Sequence, residues 1–337
     1  MSKRIKGITL TILTESPVPL SYDQGYGNYT PMKKEQYKNK LHAKTSIGTF
    51  TYELRKSLHQ NYNWKLSDIV LNKSKDGKIS NLYAHSEGIE SADEYGLESD
   101  VFGYFVPTKG KGSLTKVSPL RIIPFRSLNP YNSTTQLVTN RGFLEEGLGR
   151  KYYDSNGEEI VRDDKFPSTQ ALAVEEVMAD YYVYTVTLEL DRIGVVEVQD
   201  GKLLAPDDRK YMPKEVREKA AKDIMDALTI LTRNIKHTSV LLKPLAVMGG
   251  AFDKVVPYFW DDMNYISDLN AVSLDSVINT IDGYKLNSDE YIVAFDNRIK
   301  TINKSDNIVI SNSPIKEIKK LADRIEVRDD NMWYLKG

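Results

Sequence analysis

The residues best suited to chemistry in this sequence lie where a polar segment meets a predicted helix. The stretch VPLSYDQGYGNYTPMKKEQ (18–36) holds three tyrosines, two glycines, an asparagine and a lysine pair. Lys44 then precedes Ser46 and Thr49, which fall at the start of a helical pattern. Free backbone amides and the dipole at a helix N-terminus favour phosphate. These residue types predict an anion-binding segment, with a solvated or lid-like surface loop as the alternative.

The charge of the chain is unevenly distributed. Residues 1–59 carry ten Lys/Arg against four Asp/Glu, for a net charge of +6, and the remainder carries 36 against 43, for −7. A basic N-terminal part on an otherwise acidic protein favours an anionic partner that binds at one place over nonspecific binding across the whole surface. A solvated charged face is the alternative.

Metal and cysteine chemistry have few candidates. The sequence has no cysteine, which excludes disulfides, thiolate zinc sites and cysteine nucleophiles. None of its four histidines has a second one at the short spacing typical of metal sites. They are His42, His59, His85 and His237. We therefore expect neither a bound metal nor a cofactor.

No apolar run reaches the length of a membrane span, because Lys243 interrupts the best candidate, SVLLKPLAVMGGAF. The N-terminal stretch RIKGITLTILT alternates like a β-strand and does not form the apolar core of a signal peptide. We expect a cytoplasmic protein that does not contact a membrane.

The predicted elements alternate between strands and helices. Strands are predicted at 4–14, 100–107, 180–198, 238–250 and 291–296, and helices at 44–60, 213–235 and 313–325. The first helix collects the apolar residues Ile47, Phe50, Leu54 and Leu58 on one face. The Gly249–Gly250 pair indicates a turn. The order is compatible with βαββαβ, the ferredoxin-like arrangement, in which 101–106 or part of 181–198 supplies the second strand.

Six stretches of the sequence occur in an order that is typical of one known protein family. They are ITLTILTESPVPLSYDQGYGN, TSIGTFTYELRKSL, ESDVFGYF, VSPLRIIPFRSLNPYN, YYVYTVTLELDRIG and KPLAVMGG. Together, over about residues 5–250, they resemble the backbone subunit of type I CRISPR surveillance (Cascade) complexes, the Cas-seven family. Within that family they resemble the Cst/DevR branch of subtype I-B.

The resemblance implies an α+β fold shaped like a hand, with a ferredoxin-like (RRM-like) palm, a large fingers insertion and a thumb hairpin. The implied boundaries are 1–60 plus about 175–255 for the palm, about 61–174 for the fingers, about 192–213 for the thumb within the palm, and 256–337 for a C-terminal mixed region packing on the palm.

The resemblance also implies a function in antiviral defence. Several copies of such a subunit polymerise along a CRISPR guide RNA, and each neighbour's thumb kinks the strand at regular intervals. The guide bases then pair with target DNA, and other subunits complete the complex. Such a subunit is not an enzyme, because a recruited helicase-nuclease performs the cleavage.

Carried over to this sequence, the family's contacts predict four groups of binding residues. The palm contacts to RNA are Tyr22, Asn28, Lys33, Lys44, Ser46, Thr49, Thr51 and Arg55. The thumb contacts are Lys202, Leu203, Leu204 and Arg209, and those near the palm edge are Lys236, His237 and Lys243. Target DNA is expected at Lys109, Lys111 and Lys116. Related subunits often have a basic residue near position 51, where this chain has a threonine.

Three alternative functions stay open. Asp23 lies where backbone subunits of type III complexes carry an aspartate that cuts RNA with a divalent metal. An endonuclease that processes guide precursors needs an acid–base set, for which His42 and Lys44 are candidates. The branch also carries a regulator name, although no helix-turn-helix pattern occurs in the sequence.

Overall fold

The computed structural model describes residues 2–108, 112–139, 151–160, 172–306 and 308–337. These ranges form a mixed α+β structure. Its helices are α1 (Ile47–Tyr62), α2 (Ser86–Glu90), α3 (Leu97–Phe102), α4 (Lys214–Thr229), α5 (Asp275–Tyr284) and α6 (Pro314–Arg324). Within the described ranges, no helix has both the length and the apolar character needed to cross a membrane.

The strands up to the tenth are β1 (Lys3–Ile5), β2 (Gly7–Ser16), β3 (Tyr29–Thr30), β4 (Lys34–Tyr37), β5 (Lys40–Ala43), β6 (Ile69–Lys73), β7 (Ile79–Ala84), β8 (Tyr104–Thr108), β9 (Gly112–Lys116) and β10 (Leu120–Ser127). Next come β11 (Thr134–Thr139), β12 (Tyr152–Tyr153), β13 (Glu159–Ile160), β14 (Leu172–Val177), β15 (Asp180–Glu189), β16 (Val195–Val196), β17 (Val198–Gln199), β18 (Lys202–Leu203) and β19 (Lys210–Tyr211). The last are β20 (Thr232–Ile235), β21 (Thr238–Leu241), β22 (Ala246–Phe252), β23 (Asn264–Ile266), β24 (Ala271–Ser273), β25 (Tyr291–Phe295), β26 (Lys300–Ile302), β27 (Ile325–Val327) and β28 (Trp333–Leu335).

A five-stranded antiparallel sheet in the order β10–β15–β2–β22–β25 forms the centre of the molecule. Its strand between α1 and β15 is β10, so neither predicted position for a second strand is correct. The stretch 104–108 pairs with β9 in a separate hairpin. The ladder of β10 shifts register between Ile123 and Arg126, around Pro124, and this irregularity hides the strand in the sequence.

The two faces of the sheet follow the alternation of β2. Ile8, Leu10 and Ile12 join one apolar core with α1 and α4. Thr9 and Thr11 point to the other face, where each hydroxyl lies 3.0 Å from a threonine hydroxyl of β15. Both threonines are buried. The centre of the sheet therefore offers no open platform for stacked bases.

Helices α1, α4 and α6 lie where helices were predicted, with shifted ends, whereas α2, α3 and α5 were not predicted. Ser46 caps α1, and its hydroxyl accepts the backbone N–H of Thr49 at 3.1 Å. Ile47 is exposed in the first turn and does not join the buried face of the helix. The helix predicted at 213–235 is too long at its C-terminal end, because α4 ends at Thr229 and the chain continues into the β20–β21 hairpin. Three of the four residues in TILT (229–232) are β-branched, which favours this change to extended structure.

The predicted turn at Gly249–Gly250 is also wrong, because both glycines lie inside β22. A Cβ atom on Gly249 would lie 2.0 Å from the carbonyl oxygen of Thr9, and one on Gly250 would lie 2.0 Å from that of Glu290. Close approach of neighbouring backbone, and not a change of chain direction, therefore requires these glycines.

Replacing Gly249 by alanine should destabilise the protein by about 1–3 kcal/mol, because the central strands must separate to admit the methyl group. Chemical denaturation measures the loss. Gly283→Ala is the matched control, since a Cβ on Gly283 meets nothing within 4 Å. Equal stability of the two variants would contradict the close packing of β2 and β22.

Residues that follow the central sheet strand β22 complete the core. Strand β25 extends the sheet, and α6 packs on α4. Strand β28 pairs with β1 and β27, which fixes the C-terminal strand beside the N-terminal one. The hairpins β6–β7, β8–β9, β16–β19 and β17–β18 lie outside the central sheet.

Candidate nucleic-acid interface

The segment that follows β2 is tied into the structure along its length. Tyr22 pairs with Met32 in an antiparallel bridge, and β3 pairs in parallel with β14. Strands β4 and β5 then form a hairpin that leads into α1. The segment after β2 is therefore a structured platform and not the solvated or lid-like surface loop of the alternative interpretation.

A buried carboxylate, Glu176 on β14, holds this platform. Glu176 accepts hydrogen bonds from the Tyr29 hydroxyl, the Met32 backbone N–H at 2.7 Å and Lys34 Nζ at 3.1 Å. Burial alone would raise the pKa of Glu176, but hydrogen bonds from tyrosines, a backbone amide and a lysine outweigh it and lower the pKa to about 2.

The depressed pKa of Glu176 predicts an acid-sensitive platform. Because the pKa is lower in the folded state, the ionised carboxylate stabilises the fold above its ordinary value of 4.5, and this stabilisation is lost as pH falls from there towards 2. Glu176→Gln should cost on the order of 2 kcal/mol at pH 6. The difference from wild type, measured by denaturant titration, should shrink below pH 4.5. Exposed Glu159→Gln is the control, and a difference that did not change with pH would contradict the role of Glu176.

The neighbouring Glu175 brings together two residues that lie far apart in the sequence. The hydroxyl of Tyr22 donates to Glu175 at 3.3 Å, and Lys236 forms an ion pair with the same carboxylate. Lys236 Nζ lies 4.1 Å from the centre of the Tyr22 ring. Burial, followed by the charge of Glu175, raises the pKa of Tyr22 to about 12, so the phenol stays neutral. Tyr22 and Lys236 thus form one cluster.

The β4–β5 hairpin presents a basic face, formed by Lys33, Lys40, Lys44 and Arg126. Tyr37 pairs with Lys40, the Lys44 N–H donates to the Lys33 carbonyl at 2.9 Å, and Lys44 pairs with Arg126 of β10. Residues paired across strands point to the same side, as do alternate residues along a strand. The four cations therefore share one side of the hairpin.

Ion-pair partners within the chain determine which cations of the basic face are free to bind an anion. Lys44 lies 3.1 Å from Glu35, and Arg126 lies 3.8 Å from Asp261 and stacks 3.5 Å above the Tyr37 ring. Within the described part of the chain, Lys33 and Lys40 form no ion pair. A cavity of about 680 Å³ opens beside this face, with Lys40 and Arg126 in its wall. Two cations are thus free to meet an anion.

The N-terminus of α1 supplies backbone donors. Its first N–H groups, at Ile47 and Gly48, have no acceptor within the helix, and both residues are exposed. The first turn of α1 contains no acidic residue. Tyr52 is also exposed on α1, one turn further along the helix. Tyr52 was not among the predicted binding residues, although a tyrosine on the polar side of a predicted helix could have indicated one.

Asn28, Thr51 and Arg55 differ in how they are engaged. The side chain of Asn28 is exposed, while its carbonyl accepts the Val174 N–H at 2.7 Å. The hydroxyl of Thr51 donates to the carbonyl of Gly48 at 3.2 Å within the helix. Arg55 pairs with Glu98 at 2.6 Å, so its charge is already partly neutralised.

The residues predicted for the thumb lie on a short hairpin region between β16 and β19. Lys202 and Leu203 are exposed, and Leu204 is half-buried. Arg209 lies 3.3 Å from Glu197. His237 is exposed beside Lys236, and Lys243 lies 3.2 Å from Asp296. RNA contacts by these residues stay predictions.

The structure contradicts the DNA contact predicted for Lys116. Its side chain is 1% exposed and forms an ion pair with Asp100 at 2.5 Å. Lys116 also donates to the carbonyl of Val195 at 2.8 Å. A lysine enclosed in this way cannot reach a strand of nucleic acid. The other two predicted DNA contacts, Lys109 and Lys111, lie outside the described residues.

The residues of the catalytic alternatives are placed as follows. Asp23 is exposed, and its carboxylate accepts the backbone N–H of Gln24 at 3.0 Å. In the described ranges no three His, Asp or Glu side chains are grouped so that they could hold a metal ion. His42 is buried, with Nδ1 2.8 Å from the carbonyl of Ser127. This burial opposes the predicted acid–base role of His42.

Comparison with known proteins gives a match at the level of structure. Neither a protein-family model nor a curated protein sequence matches this chain. A chain of a CRISPR RNA-guided surveillance complex in a pre-nicking state is similar, with a TM-score of 0.58 and 11% identity over 94% of this chain and 99% of that one. A chain of a second CRISPR RNA-guided surveillance complex has a TM-score of 0.51 and 12% identity over 94% and 98%. At these identities the likeness concerns the fold.

Proposed function

We propose that this chain is a backbone subunit of a CRISPR RNA-guided surveillance complex of the Cascade kind. The observation that carries the proposal is the correspondence of fold over 94% of this chain and 99% of a chain from such a complex. Because nearly all of both chains is included, the likeness is not confined to one common motif. The finer assignment to the Cst/DevR branch of subtype I-B rests on the resemblance of the sequence.

Within this proposal the central sheet is a ferredoxin-like palm. The elements β2, α1, β10, β15, α4 and β22 follow one another as βαββαβ, and the four strands lie in the order β10–β15–β2–β22. This is the strand order 4-1-3-2, read from the other edge. The residues between α1 and β10 and those between β10 and β15 are the fingers, and the hairpin region from β16 to β19 is the thumb.

The palm holds the guide RNA through its phosphates. The basic face and the first turn of α1 supply cations and N–H donors without acidic residues in that turn. Neither reads a base edge, so the guide sequence should matter little. Affinity should therefore fall steeply with salt, because each phosphate contact releases counterions.

Several copies along one guide RNA, other subunits and target DNA complete the assembly. To test this, we would express the chain with a CRISPR array and its partner subunits and purify the complex. A multimer that carries RNA of uniform length supports the proposal. A monomer free of nucleic acid overturns it.

The proposed subunit binds RNA without cutting it. Incubation of the purified complex with magnesium and labelled RNA complementary to the guide should leave that RNA intact. Regular cleavage that Asp23→Ala abolishes would instead assign the chain to the RNA-cleaving kind.

A further inference from the structure

The carboxylate of Asp261, in the segment between β22 and β23, lies against the basic face. It accepts a hydrogen bond from the Tyr37 hydroxyl, and its oxygens lie 2.9 Å from Lys38 Nζ and 3.8 Å from Arg126 Nη2. Burial alone would raise the pKa of Asp261, but the hydrogen bonds and the charges of Lys38 and Arg126 lower it. Asp261 is therefore an anion held by one hydroxyl and two cations.

The donors around Asp261 are positioned by the β4–β5 hairpin and by β10. Lys38 and Asn39 form the two-residue turn of the hairpin, and both have a positive φ, of 45° and 62°. The Arg126 guanidinium lies 3.5 Å from the centre of the Tyr37 ring, in a stack that does not include Asp261. The hairpin turn and this stack hold the donors in place, so another anion can meet the same groups.

The position of Asp261 adjoins a cation that is still free. Lys40, Arg126 and Asp261 share the wall of the cavity of about 680 Å³ beside the basic face. An anion that enters this cavity meets Lys40, which has no ion pair in the described part of the chain, and the cations that Asp261 neutralises. Phosphate oxygens accept hydrogen bonds from the same donors as a carboxylate, and the planar arginine fork fits both groups.

The segment that carries Asp261 is held mainly by side chains. The N–H groups of residues 256, 258, 260 and 262 donate to carbonyl oxygens two or three positions back, and not to the neighbouring sheet. Phe259 is buried, whereas Trp260 is 41% exposed and borders a cavity of about 70 Å³ above β10 and β15. The Asp261 side chain can thus leave its donors without breaking a helix or a strand.

We propose that Asp261 occupies, in the RNA-free chain, the place of one phosphate of the bound RNA, and that this phosphate displaces it. The donors around Asp261 then add one phosphate site to those of the basic face and the first turn of α1. An RNA strand presents several phosphates at once and displaces the carboxylate, whereas a single small anion competes poorly. This inference rests on the proposed function, to which it adds a phosphate site and an internal competitor.

The variant Asp261→Asn tests the competition, because it keeps the shape of the side chain and removes its charge. Its affinity for guide RNA, measured by fluorescence anisotropy, should rise about threefold to fivefold. Asp226→Asn is the matched control. Asp226 also accepts a tyrosine hydroxyl and pairs with a lysine, and it is 37% exposed against 33% for Asp261. Its tyrosine, Tyr62, ends α1, far from the basic face. A gain no larger than that of Asp226→Asn overturns the inference.

A double-mutant cycle with Lys38→Met supplies an independent measurement. In the wild-type chain Lys38 exchanges one anion for another when RNA binds, so its loss should lower the affinity less than about twofold. In the Asp261→Asn chain Lys38 is free beforehand, and the same substitution should lower the affinity about fivefold. Equal losses in the two chains would show that Asp261 and the RNA do not compete for Lys38.

The two proposals fail in different ways. Chains that bind guide RNA but show neither the gain nor the coupling overturn the role of Asp261 alone. A chain that binds no guide RNA overturns the proposed function, and inorganic tripolyphosphate then tests the site. Its binding is followed by the emission of Trp260, with Trp260→Phe as the blank. Binding about threefold to fivefold tighter in Asp261→Asn supports the site. Equal binding by both chains, or none by either, contradicts it.

Discussion

Replacing Lys33 and Lys40 together by glutamate is expected to lower the affinity for guide RNA by roughly two orders of magnitude at physiological salt. Both lysines lie on the basic face, and neither is neutralised by an ion pair among the described residues. Their charges are thus available to phosphate, unlike that of Lys44, which pairs with Glu35. The slope of log affinity against log salt should become shallower by about 1.4, as two contacts to a single strand disappear.

The matched control for this variant carries Lys300→Glu and Lys304→Glu. Both control lysines are exposed and, like Lys33 and Lys40, form no ion pair within the described chain, and the change in net charge is identical. Fluorescence anisotropy at several salt concentrations measures both variants. Equal losses in the two would mean that net charge, and not the basic face, attracts the RNA.

Asp100→Ala should destabilise the protein by about 3–5 kcal/mol, because it leaves the charge of Lys116 buried without its partner. The carboxylate also accepts the N–H groups of Gly194 at 2.7 Å and Val195 at 3.2 Å. These residues begin the hairpin region of the proposed thumb. The loss should therefore appear both in the unfolding free energy and in faster amide exchange at the start of that region.

Two further variants separate the causes of the Asp100→Ala effect. Asp329→Ala removes the partner of Lys214 in a solvent-exposed ion pair and should leave the unfolding free energy almost unchanged. Asp100→Asn/Lys116→Met keeps an oxygen acceptor and removes the buried charge, so it should be more stable than Asp100→Ala. A small effect of Asp100→Ala, similar to that of Asp329→Ala, would contradict the burial of the pair.

The local sequence was sufficient to predict those strands and helices whose own residues form a regular hydrophobic pattern. The alternation of β2 and the spacing of Phe50, Leu54 and Leu58 predicted a strand and a buried helix face. The strand β10 was missed because Pro124 and the register shift interrupt its alternation. The mixed α+β class followed from the elements that carry regular patterns.

Those parts of the site that depend on long-range contacts could not be predicted from the sequence. Lys116 lies in a basic, glycine-rich stretch, TKGKGSLTK (108–116), and only the folded chain shows that Asp100 encloses it. Glu175 and Glu176 were not singled out, although two acids inside the apolar strand pattern LAVEEV were a usable signal of buried partners. The cluster of Tyr22 with Lys236 depends on pairing between distant strands and had no local signature.

The measurement that tests the central claim most directly is a nuclease footprint of assemblies sorted by the number of copies of this chain. The assembly is purified with its RNA, separated by size, treated with ribonuclease and sequenced. We predict a protected fragment of the guide that lengthens by an equal step with each added copy. Absence of protected guide RNA, or fragment lengths unrelated to the number of copies, would contradict the account.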